Sequence, residues 1–177
     1  RLVMGLNTYF HRRFRMENVG PDNELDVDWV IGCYVFLRRE LAENGQVFDE
    51  DIFMYYEDAL LCHNCWQRGY RVRYLPYAAI IHYGGGSAKQ IRAFTVWHSF
   101  RSSVIYFRKT RGGLTASIYS AGVRGAWAAF AAVFGVTGVL LGSRGRQKAG
   151  LFQELRRLSS ENLSLIHISE PTRLRRI

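Results

Sequence analysis

Residues 125–142, GAWAAFAAVFGVTGVLLG, form a run of eighteen without a charge, and whatever the chain folds into must cover them. As a helix the run reaches the lower bound of what crosses a bilayer core. Arg124 stands before it and Arg144, Arg146 and Lys148 follow, so positive charge favours neither side as cytoplasmic. Four of the eighteen residues are glycine, which weakens a free-standing helix. The reading preferred on these grounds is an interfacial or re-entrant segment. A single transmembrane segment at 125–142 and a hairpin buried between soluble helices are the alternatives.

The region upstream offers a partner. Phe94, Trp97, Phe100, Val104 and Phe107 recur at spacings of three and four, which predicts an amphipathic helix. Its aromatic stripe belongs to a core or to a membrane-facing surface, and its polar positions include Arg92, Arg101, Arg108 and Lys109. Charge is segregated along the chain. Twelve of the fifteen carboxylates lie between Glu17 and Asp58; from Ala59 to Gln153 there is none, against thirteen Lys or Arg. That asymmetry suits a surface facing phosphates, whether nucleic acid, anionic lipid or a diphosphate ligand. A solvated basic face is the alternative.

The 177 residues are enough for one sizeable core. Three cysteines give no disulfide framework, so a reducing cytoplasm fits; no secretory signal can be read. Residues 163–173, LSLIHISEPTR, resemble a translated sequencing-library adapter, and residues 163–177 are therefore expected to be a non-native tail. Without Glu170, Arg173, Arg175 and Arg176 the formal charge falls from +9 to +7 and stays basic.

The remaining chain reads as short alternating elements. Residues 1–26 are a linker or irregular segment. Residues 27–37, VDWVIGCYVFL, are β-branched and aromatic and predict a buried strand, with Gly32 allowing close backbone approach. A short helix over 39–43 should stop at Asn44-Gly45, and 48–56 is an aromatic-rich loop. Helix is predicted from Glu57 to Arg68, with Gly69 as its stop and the carboxylates of Glu57 and Asp58 at its positive end. Strands are expected over 70–75 and 79–82, around Pro76, followed by the glycine loop 84–87.

Three constellations compete for the chemistry. Cys62, His63 and Cys65 suggest half of a zinc site, but a structural site needs four ligands and no second pair is present. Buried small hydrophobes explain the two cysteines better. Asp26-Val27-Asp28 and Asp49-Glu50-Asp51 both spell DxD, the pattern that holds a divalent cation on a nucleotide diphosphate. Glu57-Asp58 is the third. The residues alone do not choose between the last two.

The order of features does. VDWVIG, LRRE, FDEDIFMYYED, LC, GYRV, PYAAIIH and GGGS follow one another between Val27 and Ser87. That succession resembles the second half of the catalytic domain of family 2 glycosyltransferases, above all the bacterial rhamnosyltransferase-like branch. The fold implied is α/β: the acceptor-side half of a GT-A (Rossmann-like) domain over 27–90, then amphipathic and hydrophobic C-terminal helices over 91–162 forming a membrane-associated region.

The resemblance implies roles residue by residue. Asp58 would be the general base on the acceptor hydroxyl, and Glu57 would orient the acceptor or support the loop. His82 would complete the coordination of a donor-bound Mg2+ or Mn2+, whose main DxD ligands are expected in a donor-binding half preceding Val27. Ser87 and Lys89 would lie near the diphosphate, and Trp29 and Gly32 would line the sugar pocket, Trp29 having a core position as its alternative. The two DxD triplets fall at structural or peripheral places of the pattern. Two positions depart from it: Leu60 stands where an Asp is common and Asn64 where an Arg is common. The two form an i,i+4 pair, so their joint loss leaves no charge orphaned.

The expectation is an inverting glycosyltransferase acting on a nucleotide-sugar donor and a glycan or lipid-linked acceptor. It would sit at the cytoplasmic face of the membrane on an anionic surface, with no nucleic acid partner, and these residues would be inactive without the donor-binding half. The alternatives are a non-enzymatic basic module binding membrane or nucleic acid, and a small metal-binding domain built on Cys62, His63 and Cys65.

Overall fold

The computed structural model describes residues 22–43, 47–81, 92–137 and 142–161. Among these the chain is α-rich, with one two-stranded antiparallel sheet. Strand β1 is Leu25–Asp26 and β2 is Arg73–Tyr74, in the register Leu25 opposite Tyr74 and Asp26 opposite Arg73. Helix α1 is Glu57–Gln67, α2 Arg92–Arg111, α3 Gly113–Thr137 and α4 Gly142–Glu161. A single 3-10 turn at Arg39–Leu41 stands where the short helix was expected.

The strand expectations are corrected. No Rossmann-like sheet is seen among the described residues, and 27–37 is irregular beyond its first residue. The Val27 N–H still reaches the Val72 carbonyl at 2.9 Å, and the two chains then part. The backbone instead turns at Gly32 and gives that residue's N–H to the Asp58 carboxylate. A strand requires a partner for its alternate donors, and β2 is too short to provide one. Pro76, which has no N–H, ends the ladder after Tyr74. Residues 79–81 are likewise irregular, with Ile80 and Ile81 exposed.

Helix α1 matches its prediction to within a residue. After Gln67 the Gly69 N–H returns to the Trp66 carbonyl and the Tyr70 N–H to the Cys65 carbonyl, both at 3.0 Å. This paired closure needs a left-handed residue, and Gly69 supplies it with φ +78°. The inner face of α1 packs Cys62 and Cys65 onto Val27 and Val72, forming a small core beneath the sheet. The Trp66 indole N–H donates to the Val27 carbonyl at 3.2 Å and ties helix to strand.

The second core lies among α2, α3 and α4. Trp97, Phe100 and Val104 of α2 meet Ala116 and Trp127 of α3 and Leu155 of α4. The aromatic stripe is thus mainly core, with Phe94 left outside it on Phe53 and His98. Helix α2 stops at Gly112, whose φ is +88°, and α3 begins in the same turn. Ala116, with no exposed surface, lets the two helices approach closely.

Helix α3 runs through Gly122, Gly125 and Gly135 without a break. The stretch expected to be interfacial or re-entrant is therefore, up to Thr137, part of one continuous helix with no re-entrant turn. Tertiary packing supplies what glycine withholds: Trp127 and Ala131 are buried, and Phe152 of α4 stacks on Phe130 and Phe134. Among the described residues no helix is long and apolar enough to cross a membrane.

Candidate functional site

The predicted base and the predicted pocket glycine meet. Asp58 stands in the first turn of α1, and its Oδ2 accepts the Gly32 N–H at 2.9 Å across 26 residues of sequence. Its Oδ1 accepts the N–H of Ala59 at 2.8 Å. A carboxylate offers about four lone-pair sites, so each oxygen keeps one for a further donor. Glycine at 32 eases a close approach. A Cβ there would stand 3.3 Å from the Asp58 Cβ and 3.7 Å from Oδ2.

The chain reaches Asp58 through backbone that L-residues avoid. Tyr55 and Tyr56 have φ of +61° and +66°, a left-handed pair costing roughly 1–2 kcal/mol per residue. The turn is held from α2. The Ser102 hydroxyl donates to the Met54 carbonyl at 2.6 Å, and the Tyr56 ring packs on Tyr106 with centroids 5.5 Å apart. Burial, with Tyr119 and Tyr106 nearby, raises the Tyr56 phenol above its ordinary pKa. Helical hydrogen bonding starts at once, the Leu60 N–H donating to the Tyr56 carbonyl at 2.9 Å. Glu57 follows the strained pair, and its buried Oε2 has no hydrogen-bond partner.

The loop before that turn is fastened by the same helix. Lys109 Nζ donates to both Asp49 oxygens, at 2.9 and 2.7 Å, and lies 2.6 Å from Asp51 Oδ2. Arg101 donates to the Asp51 carbonyl at 3.2 Å. Burial pulls the Lys109 ammonium's pKa down, but hydrogen bonds and attraction from Asp49 and Asp51 outweigh it and leave it above the usual lysine value.

These contacts occupy three of the four DxD carboxylates. Asp49 and Asp51 share Lys109, while Asp26 is gripped by Arg71 and lies beside Arg73; Asp28 is exposed. Carboxylates already engaged by protein cations do not fit a divalent ion, and among the described residues no cluster of three or more His, Cys, Asp or Glu is placed to hold one.

The zinc-like trio is dispersed. Cys62 and Cys65 are buried free thiols in the apolar core under the sheet, and His63 packs edge-on to Tyr106. Burial raises both thiols above their ordinary pKa; a backbone hydrogen bond from Val30 opposes this at Cys62, and Arg68 opposes it at Cys65. Such thiols are poor metal ligands and poor nucleophiles.

Trp29 is half-buried and packs against that core, so it has the core contacts that were its alternative. Leu60, where the resembled pattern has an acid, is among the most deeply buried side chains at 2 % exposure. His82, Ser87 and Lys89, with the glycine loop 84–87, lie outside the described residues, as do 163–177. Sequence reasoning missed Ser102 and Lys109 as loop fasteners. Their only signal was polarity on the helix face opposite the aromatic stripe.

Comparison with protein-family models, with curated proteins and with solved structures finds no match for this chain.

Proposed function

We propose that the chain carries the acceptor side of an inverting glycosyltransferase, which moves a sugar such as rhamnose from a nucleotide-diphosphate donor to a hydroxyl of a glycan or polyprenyl-linked acceptor. One observation carries this reading. Two motifs of the resembled family, the VDWVIG segment and the ED pair, come together through Gly32 and Asp58 at 2.9 Å, behind a strained turn of the kind that collects at functional sites.

The chemistry assigned to Asp58 is proton removal. Its free lone pairs accept the acceptor hydroxyl's hydrogen, the oxygen attacks the anomeric carbon, and the bond to the diphosphate breaks on the opposite face. The Gly32 N–H holds the carboxylate aimed before the proton arrives. Glu57, beside Asp58 in the first turn of α1, would orient the acceptor or support the loop. A divalent cation, Mg2+ or Mn2+, would stabilise the departing diphosphate from ligands outside the described residues, His82 among them. The proposed place of work is the cytoplasmic membrane surface, in peripheral contact.

The test is Asp58→Asn in a protein that joins this chain to a donor-binding half, assayed against a panel of labelled nucleotide sugars. Turnover should fall by about 10^2 to 10^4 while calorimetry still detects donor binding. Unchanged turnover removes Asp58 from the mechanism.

A further inference from the structure

Helix α3 is buried on one side only. Ala116, Trp127 and Ala131 face the core, whereas Leu114 is 77 % exposed, Ile118 66 % and Val133 54 %. At 100° per residue Leu114, Ile118, Gly125 and Ala129 fall within an arc of roughly 60°, and all four are exposed. The stripe they form contains no charge.

One flank is basic. There a cleft of about 110 Å³ opens between α2 and α3, lined by Val104, Arg108, Ser117, Ser120 and Arg124. Neither α2 nor α3 carries a carboxylate.

We infer that this face of α3 lies in the plane of an anionic phospholipid surface, the apolar stripe against the acyl boundary and a lipid phosphate in the Arg108/Arg124 cleft. Among the described residues no helix is long and apolar enough to cross, and burial of one stripe at the interface suits the composition of α3. Long arginine side chains beside an apolar face place their heads at phosphate level. Nucleic acid would match the charge but not the stripe. A second copy of the chain would match the stripe but bring like-charged flanks together across a two-fold axis. The inference rests on the peripheral membrane placement proposed above and not on the transfer chemistry.

The experiment is flotation of the full 177-residue chain with vesicles of phosphatidylglycerol and phosphatidylcholine, and with phosphatidylcholine alone. Binding should require the anionic lipid and weaken with salt. Leu114→Ser with Ile118→Ser changes exposed positions only, and should lower affinity about tenfold or more. Arg124→Gln should lower it about fivefold on anionic vesicles, and Arg124→Lys should restore most of that loss. Binding indifferent to the Leu114/Ile118 pair would overturn the inference. So would displacement by free inorganic phosphate at matched ionic strength, or a dimer that Ile118→Ser dissolves in a chain that never floats. Asp58→Asn should float like the parent, so failure of the transfer reading and failure of this one are separable.

Discussion

Lys109→Met tests whether α2 holds the loop that leads to Asp58. The substitution keeps most of the apolar stem and removes the ammonium shared by Asp49 and Asp51, two carboxylates that would then face each other without a counter-charge. The Lys109, Asp49 and Asp51 side chains are 34 %, 24 % and 46 % exposed, so solvent screens the pairs and each is worth at most about 1 kcal/mol. Two pairs on one ammonium give about 1–2 kcal/mol, or a Tm fall of roughly 2–8 °C for a chain of this size. The pH dependence has a definite sign. Lys109 is held above the usual lysine pKa, so its contribution is fully present below the unfolded-state value and is lost as pH rises through the higher folded one. Urea denaturation at neutral pH, with and without 1 M NaCl, and again in the alkaline range above the ordinary lysine pKa, measures both effects. Lys109→Arg should retain most of the stability. A Lys109→Met chain within about 0.3 kcal/mol of the parent, with the parent's alkaline stability loss unchanged, would refute the clamp.

Gly32→Ala should leave stability within about 1 kcal/mol, because the entropic gain of alanine in the unfolded chain offsets the crowding of Asp58. Under the transferase proposal it should lower turnover several-fold by moving the carboxylate a few tenths of an ångström; steady-state kinetics decides. Ser102→Ala strands the Met54 carbonyl beneath α2 and should cost about 1–3 kcal/mol in urea denaturation. Cys62→Ser should cost a similar 1–3 kcal/mol by burying a hydroxyl in an apolar core, with no change in the zinc content of the purified chain. Stoichiometric zinc that disappears in this variant would restore the metal-site reading.

What the sequence made legible is what local chemistry decides. Glu57-Asp58 at one end and Gly69 at the other bounded α1, because a helix start favours carboxylates and its stop here demands positive φ. The three-and-four spacing from Phe94 to Phe107 revealed α2 for the same kind of reason. Residues 27–37 failed because β propensity registers side chains suited to a pleated surface and says nothing about whether a neighbouring strand exists. Val27 found one acceptor at Val72, and beyond it the backbone followed a carboxylate. Glycines in α3 misled in the opposite direction. Their cost is set by a free helix, whereas here Trp127, Phe130 and Phe134 are packed by α2 and α4.

The candidate site divides along the same line. That Gly32 must tolerate close approach was visible in its position within an apolar run, and the approaching group proved to be Asp58. The fasteners were not visible, because Lys109 lies 60 residues from Asp49 and Ser102 lies 48 from Met54, distances at which no periodicity operates. Yet the charge segregation already implied them in kind. A chain that gathers twelve carboxylates before Ala59, and thirteen cations with no carboxylate from there to Gln153, must fold the second part back on the first, or leave both fields unscreened. Helix α2 does so with Lys109 at the loop, while Arg124 of α3, with Arg108 of α2, lines the cleft beside the exposed apolar stripe.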